Sequence, residues 1–299
     1  MLYCPTMRGV SLFLIVLFSG CALQREHTRR NFHFVRYRLM SAPLAMDCGT
    51  EGELRWCVYR ANDASSRDAK ATIYFLHYAT GDEKSLARLG LANALYRSYR
   101  RARKPVPRFI SVSYGTHWLF SNRPGKRQTV STDKFLAKTL PALEKRLGRT
   151  EINFLWGMSQ GGYNALELAL AEPLRFRAAA ASCPALLAVD PFTTDAKSFA
   201  SRAGITESWA SDGLALFNTR LKDDAAWQAE DPVARARTSA LPPLLIQANL
   251  QDEFGFLEGS RALASAVKAR GGSVVLQEET GSHCVNDVEK VGAFFQSIP

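Results

Sequence analysis

The sequence contains no C-x-x-C pair and no H-x-x-x-H pair, so the usual spacings of a structural or catalytic metal site are missing and no metal is expected. No acidic, Gln-rich or Pro-rich tract marks a disordered segment, and no internal repeat is evident. No apolar run reaches the ~20 residues that a bilayer-spanning helix needs. Acidic residues are outnumbered: 28 Asp and Glu against 38 Lys and Arg give a net charge of +10 at pH 7 and a pI near 9.5. Part of that excess is local. Arg25, Arg29, Arg30, Arg36 and Arg38 form one cluster; Arg97, Arg100, Arg101, Arg103, Lys104 and Arg108 form another. No nucleic-acid motif accompanies either, so no nucleic-acid partner is expected. The second cluster reads as a solvated face, whereas the first adjoins an apolar start and suits anionic headgroups. With 299 residues and an apolar fraction of 46%, the chain can bury the core of one large α/β domain.

The start of the chain reads as an export signal. Arg8 supplies a positive region, and Val10–Phe18 is an apolar run about half the length of a bilayer span. Ser19-Gly20 and Cys21 follow. The stretch Leu17-Phe18-Ser19-Gly20-Cys21 resembles the lipobox of bacterial lipoproteins, with Phe18 where Leu is commonest. That resemblance implies cleavage before Cys21 and acylation of its thiol, hence residues 1–20 as signal peptide and 21–31 as a lipid-anchored tether. The expected location is the cell envelope, facing the periplasm or on the outer membrane. Export implies an oxidising compartment, in which the remaining cysteines can pair. Cys48 and Cys57 flank a turn-like Gly49-Thr50-Glu51-Gly52 and suit a small loop; Cys183 and Cys284 either pair or stand as buried thiols.

From residue 32 to 299 strands and helices alternate. Residues 32–40 and 54–59 read as two opening strands joined through the Cys48 segment. Residues 71–77 (ATIYFLH) form a β-branched and aromatic run suited to a buried strand. Residues 83–100 read as a helix, 109–114 as a strand, and 134–147 as a helix with Pro141 at a kink or boundary. A strand over 152–156 runs into Gly157, a helix over 163–171 follows, and 178–182 is a strand of small residues. Residues 186–240 lose the alternation and read as a mostly helical, cap-like insertion. Its Trp209 and Trp227 are candidates either for a pocket wall or for core packing. Strands over 244–248 and 273–278 and helices over 257–269 and 288–298 complete the chain. This order implies a mainly parallel sheet with helices on both faces, and ligands bound beyond the C-terminal strand ends.

The strongest chemical signal is Gly157-Met158-Ser159-Gln160-Gly161-Gly162, a G-x-S-x-G pattern set between a strand and a helix. The glycines remove Cβ atoms from a tight bend and leave the Ser159 hydroxyl exposed at a helix N-terminus. A serine hydroxyl needs a base. Of the five histidines, His27 and His33 fall in or beside the tether, and His77 and His117 follow strands. His283, in a loop between the last strand and last helix, is the candidate base. Asp252, just past the strand at 244–248, is the candidate that orients the imidazole; Glu253 and, more weakly, Asp231 compete. The amide of Gln160 would supply one oxyanion donor and that of Ala79 the other, with Tyr78 as the alternative.

The segments YFLHYATGDEKSL, WGMSQGG, IQANLQDEF and TGSH resemble the oxyanion loop, nucleophile elbow, acid turn and histidine loop of the α/β-hydrolase superfamily. Within it the chain is similar to the esterase D, feruloyl-esterase and small carboxylesterase group, although Tyr78 stands where glycine is common. The resemblance implies an α/β-hydrolase fold and hydrolysis of a small carboxylic ester or thioester through an acyl-enzyme on Ser159, with no cofactor. A serine peptidase of the same fold, or a non-catalytic lipid-anchored binding protein, are the competing expectations. The oligomeric state is open.

Overall fold

The computed structural model describes residues 44–62, 69–126 and 128–299. The strand expected over 32–40, the export signal, Cys21, the tether, His27 and His33 lie outside the described residues. The first strand, β1 (Leu44–Glu51), takes in the Cys48 segment that the sequence suggested as a connection, and it turns at Gly52 (φ 58°) into β2 (Leu54–Ala61). The two pair antiparallel with Cys48 opposite Cys57, and their sulfurs form a disulfide. There follow β3 (Ala71–Leu76), α1 (Ser85–Arg88), α2 (Leu91–Arg101) and β4 (Arg108–Ser113). The single helix expected over 83–100 is therefore two. Gly90, at φ 71°, takes the left-handed conformation open to a residue without Cβ and redirects the chain between them.

Two two-residue strands, β5 (Leu119–Phe120) and β6 (Thr129–Val130), pair apart from the main sheet. A helical stretch then runs through α3 (Thr132–Lys134), a π-helical segment over Phe135–Thr139, and α4 (Leu140–Leu147). Pro141 sits in the first turn of α4, where its missing N–H costs nothing. Next come β7 (Ile152–Met158), α5 (Gln160–Ala171) and β8 (Ala178–Ser182). The insertion holds α6 (Ala196–Ala203), α7 (Glu207–Asn218), α8 (Asp224–Glu230) and α9 (Pro232–Arg235). Asp195, Thr206, Asp223 and Asp231 each cap one of these helices by accepting a backbone N–H. The chain closes with β9 (Leu244–Asn249), α10 (Leu257–Ala269), β10 (Val274–Glu279) and α11 (Val288–Ser297).

The main sheet has the order β1-β2-β4-β3-β7-β8-β9-β10. Its last six strands are parallel, and β1 and β2 are an antiparallel edge. Along β7 the pleat sends Phe154, Trp156 and Met158 to one face and Leu155 to the other. On the first face they meet α2 and α11 through Leu95, Val291 and Phe295; on the second lie α5, α10 and the insertion. Phe199, Phe217 and Trp227 belong to that second core, so Trp227 packs rather than lines a pocket. No helix among the described residues is long and apolar enough to cross a membrane.

One polar cluster sits within this core. Glu167 on α5 is fully buried and 3.2 Å from the Arg235 guanidinium, with Glu230 and Asp231 close by. Burial disfavours the charged carboxylate more than Arg235 favours it, and pushes Glu167 up from 4.5 to about 8. Burial likewise raises Asp231 from 3.8 to about 7. Between these ordinary and raised values the folded chain keeps protons that the unfolded chain has released. Their contribution to stability is therefore complete below about pH 4 and lost as pH rises towards 8, at roughly 1.4 kcal/mol per unit for each proton held. The denaturant midpoint is expected to fall between pH 5 and pH 8, and Glu167→Gln to flatten that fall. An unchanged slope in the variant would show that Glu167 is ionised in the folded state.

Candidate active site

The elbow is built by backbone packing. Ser159 has φ 55° and ψ −121°, a strained conformation for a residue with a Cβ. It is fixed by its N–H donating to the Ser182 carbonyl at 2.9 Å, and by its carbonyl accepting from Tyr163 and Ala185. A Cβ at Gly157 would come within 1.9 Å of the Gly161 carbonyl oxygen, and one at Gly161 within 2.0 Å of that of Leu76. These two glycines thus let strand β7, helix α5 and the end of β3 meet. The same contact sets the Leu76-His77-Tyr78-Ala79 loop against the elbow. Gln160 opens α5 directly after Ser159, three residues earlier than the helix expected from sequence.

His283 and Asp252 converge on this point. His283 Nε2 lies 2.8 Å from Ser159 Oγ, and His283 Nδ1 lies 2.7 Å from Asp252 Oδ2. A carboxylate only accepts, so Nδ1 carries the proton and Nε2 is free to accept the serine hydroxyl. Both side chains are nearly enclosed, at 4% and 2% exposure. Phe254 and Phe256 stand edge-on to the imidazole at 4.9 and 5.6 Å, and Trp209 packs on Phe254 at 4.7 Å. Trp209, half-buried on α7, is therefore linked to the site through one ring, unlike Trp227.

The loop carrying His283 has no regular structure, and four alternating polar side chains hold its backbone. Gln247 donates to the Asp287 carbonyl, and Asn249 donates to the Val285 carbonyl while accepting the Cys284 N–H. Gln251 accepts the Gly281 N–H, and Glu253 accepts the His283 N–H at 2.8 Å. Glu253, the competitor for the acid role, thus grips the main chain while Asp252 meets the imidazole. The period-two pattern Gln-x-Asn-x-Gln-x-Glu was visible in the sequence, but its target was not. Asp231, the weaker competitor, is the buried cap of α9.

Cys284, the neighbour of His283, is joined by a disulfide to Cys183 at the end of β8. One nitrogen of His283 and the two sulfurs lie within 4.8 Å of one another, but the disulfide leaves neither sulfur a thiolate to offer a metal. The bridge closes a sequence separation of 101 residues, for which the chain-entropy account gives roughly 4–5 kcal/mol. Cys48–Cys57 spans 9 and is worth less by the same account, roughly 2–3 kcal/mol. Cys284→Ser is therefore expected to lower the denaturation midpoint more than Cys57→Ser, measured in parallel melts. The opposite ranking would place the constraint on the edge hairpin.

His77 is fully buried and structural. Its Nδ1 donates to the Tyr78 carbonyl at 2.7 Å, and its Nε2 accepts from Ser113 Oγ at 2.9 Å and Trp118 Nε1 at 3.3 Å. Burial lowers its pKa below the usual 6.5 and keeps the ring neutral. His117 serves through its backbone: its N–H donates to the Ala79 carbonyl at 2.9 Å, and its carbonyl accepts from Arg220 Nε. That pins the loop whose Ala79 amide was expected to face the oxyanion.

The architecture recurs in solved structures of low identity. A ferulic acid esterase superposes with a TM-score of 0.56 at 15% identity, over 86% of this chain and 95% of its own. Carboxyl esterase 2 of the fungus Tuber melanosporum gives 0.60 at 16%, over 87% and 89%. An S-formylglutathione hydrolase from Agrobacterium tumefaciens gives 0.56 at 16%, over 84% and 90%. These are α/β-hydrolases, and the fold of this chain is the α/β-hydrolase fold, as its motif segments implied. No curated protein sequence matches the chain. The Esterase family model matches residues 92–245, just over half of the sequence and inclusive of the elbow; the chain belongs to that family and is a hydrolase of the carboxylesterase type.

Proposed function

We propose that the protein cleaves small carboxylic esters or thioesters through an acyl-enzyme on Ser159. The observation that carries this reading is the unbroken row from Asp252 Oδ2 through His283 to Ser159 Oγ, at 2.7 and 2.8 Å. His283 takes the proton from the hydroxyl as Oγ attacks the carbonyl carbon, and returns it to the leaving alcohol or thiol. It then takes a proton from water, whose oxygen attacks the acyl carbon and frees Ser159. Asp252 stabilises the imidazolium without taking its proton. The amides of Gln160 and Ala79 hold the oxyanion, each worth roughly 3–4 kcal/mol of barrier. The positive end of the α5 dipole favours the same charge. The chemistry needs no cofactor.

We further propose that residues 1–20 direct export and that acylated Cys21 anchors the protein in the cell envelope. Two disulfides in a small chain favour an oxidising compartment. Short p-nitrophenyl esters and thioesters set against aminoacyl-anilides test the reaction class. Faster anilide cleavage would make the protein a peptidase, and no labelling of Ser159 by a fluorophosphonate would remove the acyl-enzyme altogether. Loss of the protein from membranes washed in 1 M salt is expected in Cys21→Ser; retention there equal to wild type would exclude the anchor.

A further inference from the structure

The end of the sheet opposite Ser159 has chemistry of its own. Leu44 pairs with Ala61 and Tyr59 with Phe109, so the first described residue and the end of β2 lie where β4 begins. β3, β7 and β8 begin at the same end. The residues that lead into those strands, with the end of β2, present Arg60, Lys70, Arg103, Lys104, Arg149 and Arg177 at exposed or half-exposed positions. Among the described residues Glu151 and Glu172 are the acidic side chains there, and Arg177 Nε donates to the Pro299 oxygen at 3.0 Å; the loop into β3 also carries Asp63, Arg67 and Asp68, outside the described residues.

Four of these loops and strand ends line an open cavity of about 310 Å³ with Arg60, Arg108 and Arg149 in its wall. Arg108 is buried, and its guanidinium donates only to neutral acceptors: Thr72 Oγ1 and the Leu147 and Gly148 carbonyls. Among the described residues no carboxylate lies within ion-pair distance of any of the three arginines. Burial pulls the Arg108 pKa down and the charge of Arg60 adds to that, while Tyr74 and Glu144, which lie beyond ion-pair distance, act in the opposite direction. On the loop into β8, Leu174 is 97% exposed, more than any other large apolar side chain described.

We propose that this end of the domain docks on an anionic phospholipid surface. Arg60 and Arg149 take a lipid phosphate at the mouth of the cavity, where guanidinium geometry suits paired phosphate oxygens, and buried Arg108 adds its charge from behind. Lys70, Arg103, Lys104 and Arg177 face neighbouring headgroups. Leu174 enters the boundary between headgroups and acyl chains, as exposed apolar side chains do at interfaces. The occupant follows from charge complementarity, from the apolar side chain set among cations, and from where residues 1–43 must join the domain, at Leu44. Docked so, the domain holds Ser159 on the side away from the bilayer. The inference rests neither on the ester chemistry nor on acylation of Cys21.

The test uses the full chain with phosphatidylcholine vesicles, with or without phosphatidylglycerol, made with bromine-labelled acyl chains that quench nearby tryptophan. Leu174→Trp reports depth at this end. Leu250→Trp, 41% exposed just past β9, reports the opposite end. Because the probe reads local depth, attachment through residues 1–43 does not imitate the result. The emission that Trp at 174 adds over the wild-type chain and its five tryptophans should fall by about half in anionic vesicles, and the effect should vanish in 1 M salt, where screening acts over ~3 Å. Position 250 should stay bright. Combined Lys104→Glu and Arg149→Glu should abolish the quenching while hydrolysis of a soluble ester is unchanged. Equal quenching at both positions, quenching in neutral vesicles, survival of the effect after charge reversal, or displacement of the vesicles by an RNA oligonucleotide would each overturn the proposal.

Discussion

Ser159→Ala should lose turnover of p-nitrophenyl acetate by roughly 10⁴- to 10⁶-fold and remain folded. The first half follows from the row of hydrogen bonds: without Oγ there is nothing for His283 to activate and no atom to carry the acyl group. The second half follows from what Oγ does not do. It makes no capping bond to α5, and the elbow is held by backbone bonds to Ser182, Tyr163 and Ala185. The variant leaves the nearly enclosed His283 Nε2 without its partner, a cost of about 1–3 kcal/mol unless water enters at the partly exposed position 159. Steady-state rates paired with a denaturant melt separate the two effects. Activity within about tenfold of wild type would take Ser159 out of the chemistry.

The parts of this molecule that were legible in its sequence are those whose cause is local. The elbow needs glycine at fixed offsets from one serine, because the carbonyls of Gly161 and Leu76 occupy the space a Cβ would fill. The buried parallel strands are short runs of apolar residues, since both of their faces are covered. Edge strand β1 gave no such signal. Leu-Ala-Met-Asp-Cys-Gly-Thr-Glu is mostly exposed and is a strand because its backbone pairs with β2. The break at Gly90 was missed because a glycine within a helical pattern is tolerated as often as it ends the helix. Other features are long-range and have no local cause. The distance from Cys183 to Cys284 along the chain says nothing about pairing, and the role of Trp227 depends on Phe217 meeting it from another helix, with Tyr163 packed on Phe217 in turn. The competition between Asp252 and Glu253 belonged to the same class: two adjacent carboxylates at a strand end cannot be ranked until the turn after them is known.

That turn separates their roles, and the separation can be measured. The Asp252 carboxylate meets the imidazole through Oδ2 and accepts the Phe254 N–H through Oδ1, which fixes its direction. Asp252→Asn keeps the size of the side chain and its backbone bond. It replaces an anion beside the imidazolium by a neutral amide that can also stabilise the wrong tautomer. A fall in kcat of about 10³- to 10⁴-fold with KM little changed is expected. Glu253→Gln retains an oxygen to accept the His283 N–H and removes a charge that bonds only to main chain in this site. Its kcat should stay within about tenfold of wild type, whereas Glu253→Ala, which leaves that N–H unpaired and the loop less restrained, should lose more. Gln at 253 and Asn at 252 differ in which atom of the same histidine they serve, so assaying the two side by side ranks the carboxylates directly. A larger loss in Glu253→Gln than in Asp252→Asn would reverse the assignment, making Glu253 the residue that orients His283 during turnover.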